Sequence, residues 1–140
     1  MKVLHLASFQ GNIGDGANHS GFRACFSAAA EQPLTFTNFE IRETYWGDRT
    51  FDIDFVREAN AHDLIIVGGG NFFELYVERS RTGATFDVPP EQLKRISTPI
   101  IFNGLGFDAY KGSSPATIER FCTFLDHVLA TPRNSVSVRN

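Results

Sequence analysis

One hundred and forty residues suffice for a single domain with a buried core, and 42% hydrophobic with 21% charged residues describes a globular chain rather than a disordered one. A formal net charge of −3, without any lysine/arginine run, excludes a basic surface that could hold a nucleic-acid backbone, so no nucleic-acid partner is expected. Fourteen phenylalanines beside one tryptophan and one methionine make phenylalanine the main core anchor.

The chain opens with Met1-Lys2 and a short apolar run ending at Ser8, too short for the apolar segment of a secretory leader. No apolar stretch approaches the roughly 20 residues that span a bilayer. A cytoplasmic protein that does not span a membrane is the expectation. Cys25 and Cys122 lie far apart, each on the apolar face of a predicted helix, and read as two buried, reduced thiols. A metal site would need more ligands at closer spacing, and none is expected.

Along the chain the hydrophobic period alternates between strand-like and helix-like. Lys2–Ser8 is a nearly continuous apolar run, as in a strand covered on both faces. After the loop Phe9–Gly14, a helix presents Phe22, Cys25, Phe26 and Ala29 at spacings of three and four, stopping before Pro33. Leu34–Ile41 alternates as a second strand, and Asp54–Ala61 forms a short helix with Phe55, Val56 and Ala59 on one side. Asp63–Val67 is the clearest strand, four branched aliphatics running into Gly68-Gly69-Gly70. Pro89–Ile96 predicts a helix with prolines at its start, where missing N–H groups cost little. Pro99–Phe102 is a fourth strand. Ser114 then caps a helix with Pro115 at its first position and Ile118, Phe121, Cys122, Leu125, Val128 and Leu129 as its apolar stripe. Thr131–Ser135 is a turn, and Val136–Arg139 starts a fifth strand.

Strand, helix, strand, helix is the pattern of a parallel sheet with right-handed crossovers, whose ligands bind beyond the carboxyl ends of the strands. Three predicted strands end in glycine-bearing loops: Gly11-Asn12-Ile13-Gly14-Asp15-Gly16 leading to Asn18-His19, Gly68-Gly69-Gly70-Asn71 leading to Phe72-Phe73-Glu74, and Asn103-Gly104-Leu105-Gly106-Phe107-Asp108. Glycine admits positive φ and close approach of a ligand to the backbone, and each loop adds asparagine or a carboxylate. The first loop is not a dinucleotide fingerprint, because its spacing is G-x-x-G-x-G and Asp15 would repel a pyrophosphate, although Glu40 falls where a ribose ligand would be.

Asp15 reads equally as a helix cap and as a carboxylate exposed to a ligand. Glu74 and Asp108 share the predicted site edge, and with Asp15 they form the candidate catalytic set. His5 lies inside the first strand as a satisfied core histidine. His62 and His127 fall in the last turns of helices, where positive charge is favoured. His19, just after the first loop, is the one histidine placed toward the site. Ser80-Arg81-Thr82-Gly83-Ala84-Thr85 is rich in hydroxyls, and either grips a sugar or serves as a polar loop.

With these loops in view, Leu4–Asn18 (LHLASFQGNIGDGAN), Asp63–Leu75 (DLIIVGGGNFFEL), Ser80–Asp87 (SRTGATFD), Ile101–Asp108 (IFNGLGFD) and the terminal Ser137-Val138-Arg139-Asn140 resemble the polysaccharide pyruvyl transferase family. The most specific segments are the G-N-x-G-D loop and the strand entering the triple glycine. The resemblance implies an α/β, Rossmann-like parallel sheet of about five strands with helices on both faces, like the front half of a GT-B fold. It further implies that the chain is an incomplete N-terminal domain of a longer two-domain enzyme that moves pyruvyl from phosphoenolpyruvate onto two sugar hydroxyls as a cyclic ketal. The front domain would face a glycan or lipid-linked sugar acceptor, no cofactor is implied, and a homo-oligomer is among the expected assemblies. Gly11, Asn12, Gly14, Asn18, His19, Gly69, Gly70, Asn71, Phe73, Ser80, Thr82, Gly104 and Gly106 are the candidate substrate-binding residues. Near them lie only four cations for an anionic donor, Arg79, Arg81, Lys111 and Arg139, so most donor groups are expected in a second domain. A saccharide or nucleotide-sugar binding module and the front domain of a GT-B glycosyltransferase are the alternatives.

Overall fold

The alternating periods become five parallel strands with interleaved helices. The computed structural model describes residues 1–10 and 13–139, with Trp46 described by its backbone alone. The elements are β1 (Lys2–Ala7), α1 (Ile13–Ala29), β2 (Thr35–Glu40), α2 (Arg42–Trp46), α3 (Ile53–Asn60), β3 (Leu64–Gly68), α4 (Pro90–Leu93), β4 (Ile100–Leu105), a 3-10 turn (Ala109–Lys111), α5 (Pro115–Leu129) and β5 (Ser135–Val138). The sheet order is β2-β1-β3-β4-β5 and every pairing is parallel. This is the expected Rossmann-like α/β fold.

The two faces of the sheet are covered differently. Because side chains alternate along a strand, Leu4 and Leu6 of β1, Ile65 and Val67 of β3 and Phe102 of β4 point to one side, where α3, α4 and α5 cover them. That side carries a continuous network of phenylalanine rings, in which Phe39, Phe51, Phe55, Phe86, Phe102, Phe124, Phe121 and Phe73 are linked by edge, stacked and tilted contacts. The other side is a smaller cluster of Val3, Leu64 and Ile66 under Phe22 and Phe26 of α1. His5 lies on that thinner side, between Val3 and Ala7.

Local signals set the helix starts. Ser114 accepts from the Thr117 amide at 3.2 Å while the Thr117 hydroxyl accepts from the Ser114 amide at 3.0 Å, a reciprocal cap ahead of Pro115. Asp52 accepts from the amides of Asp54 and Phe55 and starts α3. Helix α4 is shorter than its apolar pattern suggests, ending at Leu93, and α2 carries no periodic signal strong enough to be expected.

The buried stripes of the two long helices are rotated from expectation. On α1 the sheet-facing residues are His19, Phe22 and Phe26; on α5 they are Thr117, Phe121, Phe124, Leu125 and Val128. Both cysteines are consequently exposed, not buried, and Ile118 and Leu129 also face outward. On α5 Thr117 occupies the inward position that an all-apolar reading assigned to Ile118, and on α1 the inward stripe begins at His19 ahead of Phe22. β4 runs through Leu105, so Asn103 and Gly104 are strand residues at an irregularity in the pairing with β5 rather than loop residues.

Phe102 is wholly buried at the centre of the ring network, whereas Phe107 is 47% exposed. Phe102→Ala should therefore lower unfolding stability by about 3–5 kcal/mol in urea titration, and Phe107→Ala by less than about 0.5 kcal/mol. Equal effects of the two substitutions would contradict the assigned core.

Candidate functional site

In this strand order the crossovers leave β1 and β3 in opposite directions, which opens a crevice at their carboxyl ends. A cavity of about 370 Å³ lies there. Its wall draws on Ser8 after β1, Asp15 in the first turn of α1, Arg42 at the start of α2, Gly69, Gly70, Asn71 and Glu74 after β3, Lys111 after β4, and Arg139 after β5.

One buried carboxylate organises the β1 side. Glu40, at the end of β2 and 7% exposed, accepts from the amides of Phe9 at 2.7 Å and Gln10 at 3.1 Å through Oε2, and from the Arg42 amide at 3.1 Å through Oε1. Both of its oxygens are thus committed to backbone, and Glu40 holds the loop after β1. Arg42 returns across the same loop, donating to the Gln10 carbonyl at 2.7 Å and to Asp15 Oδ2 at 3.2 Å. Asp15 therefore faces the cavity as the partner of a guanidinium.

The floor of the crevice is a histidine pair. His19 is 4% exposed and stands edge-on to His5, ring centroids 5.2 Å apart. Gly69, at φ +83°, passes directly over His19, and a Cβ there would strike the imidazole ring. Asn18 donates to the Gly69 carbonyl at 3.4 Å. His5 Nδ1 accepts from Arg23 Nε at 3.0 Å, and Arg23 also donates to Asn38 and lies over the rings of Phe9 and Phe36. Burial, reinforced by the Arg23 charge and by His19, pulls the His5 pKa down to about 3. Burial also lowers that of His19, against a smaller raising influence of Asp15.

The β3 side presents Glu74. Its side chain is 3% exposed; Oε1 accepts from Lys111 Nζ at 3.1 Å, and Oε2 is buried without a hydrogen-bond partner. The hydrogen bond to Glu74 holds the Lys111 ammonium above the usual lysine range. The Ser8 hydroxyl is likewise buried without a partner. Asn71 accepts from the Arg139 guanidinium, and both pack where a Cβ on Gly106 would stand. The Gly106 amide donates to the Gly70 carbonyl at 3.0 Å, joining the loops after β3 and β4.

Of the residues expected at the site, Asp15, Gly69, Gly70, Asn71 and Glu74 line one cavity, and Asn18, His19 and Gly106 support its walls. Gly14 lies in the first turn of α1. Gly11 and Asn12 fall outside the described residues, as does Asn140. Asp108 caps the 3-10 turn by accepting from the Tyr110 amide at 3.0 Å and is not part of the cavity wall. Ser80 and Thr82 are buried, their hydroxyls donating to the carbonyls of Ala84 and Phe86, which ties the loop to itself. Phe73 is a core ring between Phe102 and Phe121, and Gly104 belongs to the irregularity in β4. Arg81 pairs with Asp87 away from the cavity. Sequence reasoning missed Arg42, Ser8 and the two tyrosines of the wall, Tyr45 and Tyr76. A signal existed for Arg42, which follows a strand-ending glutamate by two residues.

No family model, curated protein or solved structure matches the chain. Among the described residues no helix is long and apolar enough to cross a membrane, and no three histidine, cysteine or acidic side chains gather as a metal site.

The histidine floor makes stability pH-dependent. A histidine with a depressed folded pKa stays neutral in the fold while the unfolded chain takes up a proton below about pH 6.5, so stability is lost as pH falls from there toward 3. Between pH 6 and pH 5 His5 alone should remove about 1 kcal/mol. His5→Asn keeps an acceptor for Arg23 and should make urea-unfolding stability less steep over that interval, leaving the His19 share. An unchanged slope would show that His5 does not titrate on unfolding.

Proposed function

We propose that this chain is the acceptor-facing part of a polysaccharide pyruvyl transferase, which joins the pyruvyl unit of phosphoenolpyruvate to two hydroxyls of a sugar. The observation that carries the reading is Glu74, a carboxylate with one oxygen held by Lys111 and the other buried and unpartnered in the wall of a cavity. Such an oxygen is the acceptor a sugar hydroxyl requires when it gives up its proton. The resemblance supports the same reading, because its separate segments supply Asp15, Gly69, Gly70, Asn71, Glu74 and Arg139 to that one cavity.

The reaction forms two C–O bonds to C2 of the enolpyruvyl unit and breaks its bond to the phosphate oxygen. One hydroxyl adds at C2 while the methylene carbon gains a proton, giving a methyl group. The second hydroxyl then displaces phosphate, and its proton leaves with that group. Glu74 is assigned to receive a hydroxyl proton, and Lys111 stabilises its anionic form. Arg42 and Arg139 are guanidiniums suited to the carboxylate and phosphate of the donor. Asp15 holds Arg42 in place and accepts from a sugar hydroxyl.

Glu74→Gln retains shape and an acceptor for Lys111 while removing the base. Methyl glycosides titrated into the isotope-labelled chain should shift the amide resonances of Gly70, Asn71 and Thr85. The substitution should weaken that response and, in the pyruvylation reaction, cut phosphate release by about 10²–10⁴-fold with little loss of stability. No saccharide response, or turnover that Glu74→Gln leaves intact, would overturn the reading. Saccharide binding with no phosphate release from phosphoenolpyruvate by the complete two-domain protein would identify a binding module instead.

A further inference from the structure

The cavity at the switch point does not end at its own wall. A second cleft of about 550 Å³, bounded by Thr44, Val77, Glu78 and Arg79, shares Tyr45, Tyr76 and Thr85 with it. The two spaces therefore meet along a seam of two tyrosines. Each volume falls within the range of about 300–1,000 Å³ common to small-molecule sites, the inner one near its lower end.

Tyr45 is 39% exposed and Tyr76 is 47% exposed, whereas most of the large aromatic area of the chain lies inside the phenylalanine network. Both rings are held in place. The Tyr45 phenol meets the Thr85 side chain, whose hydroxyl donates to the Asn71 carbonyl, and Lys111 Nζ stands 5.5 Å from the centroid of the Tyr76 ring. Rigid, amphipathic rings give contact area at little conformational cost, and the apolar C–H face of a pyranose is the kind of surface they cover. Beyond the tyrosines, Glu78 and Arg79 are exposed, and neither side chain has a hydrogen bond or ion pair among the described residues. They offer a carboxylate and a guanidinium to sugar hydroxyls, whereas Asp87 across the cleft is already committed to Arg81.

We propose that this cleft is a second sugar subsite: the acceptor is an oligosaccharide whose reacting unit occupies the inner cavity, while the adjoining unit packs on Tyr45 and Tyr76 and hydrogen-bonds Glu78 and Arg79. This rests on the acceptor-binding role proposed above for the inner cavity. It adds that the preferred ligand spans at least two sugar rings.

The test compares methyl glycosides of glucose, galactose and mannose with cellobiose, lactose and mannobiose, titrated into the isotope-labelled chain. Monosaccharides should shift the amides of Gly70, Asn71 and Thr85 and leave Val77, Glu78 and Arg79 unmoved. The best disaccharide should bind about tenfold more tightly than its monosaccharide and add shifts at Val77, Glu78 and Arg79. Glu78→Ala and Arg79→Ala should each reduce the disaccharide-to-monosaccharide affinity ratio, while a retained monosaccharide response reports an intact fold. Disaccharides that bind no better and leave Val77–Arg79 unshifted would overturn the second subsite while leaving the acceptor reading in place. A ratio unchanged in both variants would overturn it equally. If no saccharide binds, both fall together.

Discussion

The three backbone amides gathered by Glu40 are the contact on which the site depends. A carboxylate that is 7% exposed is costly to bury unless its oxygens are satisfied, and here Phe9, Gln10 and Arg42 satisfy them. In return the carboxylate fixes the exit of β1 against the exit of β2. It also starts α2 at the residue whose guanidinium crosses to Asp15. Without it, Phe9 and Gln10 would lose the contact that ties them to the end of β2. The crevice between β1 and β3 follows from strand order, but the cavity in it follows from this anchoring.

The two ion pairs of the wall differ in what they contribute. Asp15 and Arg42 keep 24% and 31% of their side-chain surface in solvent, so their attraction is screened and adds little to stability. That pair is better understood as positioning. Glu74 and Lys111 are asymmetric, with 3% of one side chain exposed and 47% of the other. Lys111 is partly hydrated whether or not it is paired, whereas Glu74 has given up water for one ammonium and still has an unsatisfied oxygen. Removing Lys111 would strand a buried charge, a far larger penalty than losing a surface pair. In the acceptor reading proposed above, a sugar hydroxyl completes a coordination that the fold leaves half-made.

Much of this was legible in the sequence, and the failures have physical causes. β3 and α5 are announced by local chemistry, an unbroken aliphatic run in one and the Ser114-Pro115 start in the other, and each stands within a residue of its expected place. That Asp15, Asn71 and Glu74 face one crevice was legible because glycine-bearing loops after parallel strands meet at one edge. Ser80 and Thr82 misled because a hydroxyl-rich loop reads the same whether its hydroxyls face a ligand or its own carbonyls. The cysteines misled because periodicity shows that a helix has an apolar face, yet it cannot show that Thr117 turns inward in place of Ile118 or that the inward stripe of α1 runs through His19. Arg42 reaches the cavity from a segment with no glycine signal, and only the tertiary fold joins it to the other walls.

That inward histidine also explains why the sheet is covered so unequally. On the phenylalanine side, interlocked rings can supply rigidity without any polar atom. On the α1 side, the crevice requires polar groups near the strand ends, and a closely packed apolar layer cannot run beneath them. His5 and His19 resolve the conflict by being neutral. Arg23 lies against His5 and disfavours a second positive charge, and burial acts in the same direction. A neutral ring packs against Phe9, Phe22 and Phe36 as an aromatic while keeping a nitrogen for Arg23. The floor of the crevice can therefore be as closely packed as a core and contribute no net charge of its own. The electrostatics of the cavity are then left to the groups on its walls, Asp15, Arg42, Glu74, Lys111 and Arg139, each placed by a different segment of the chain.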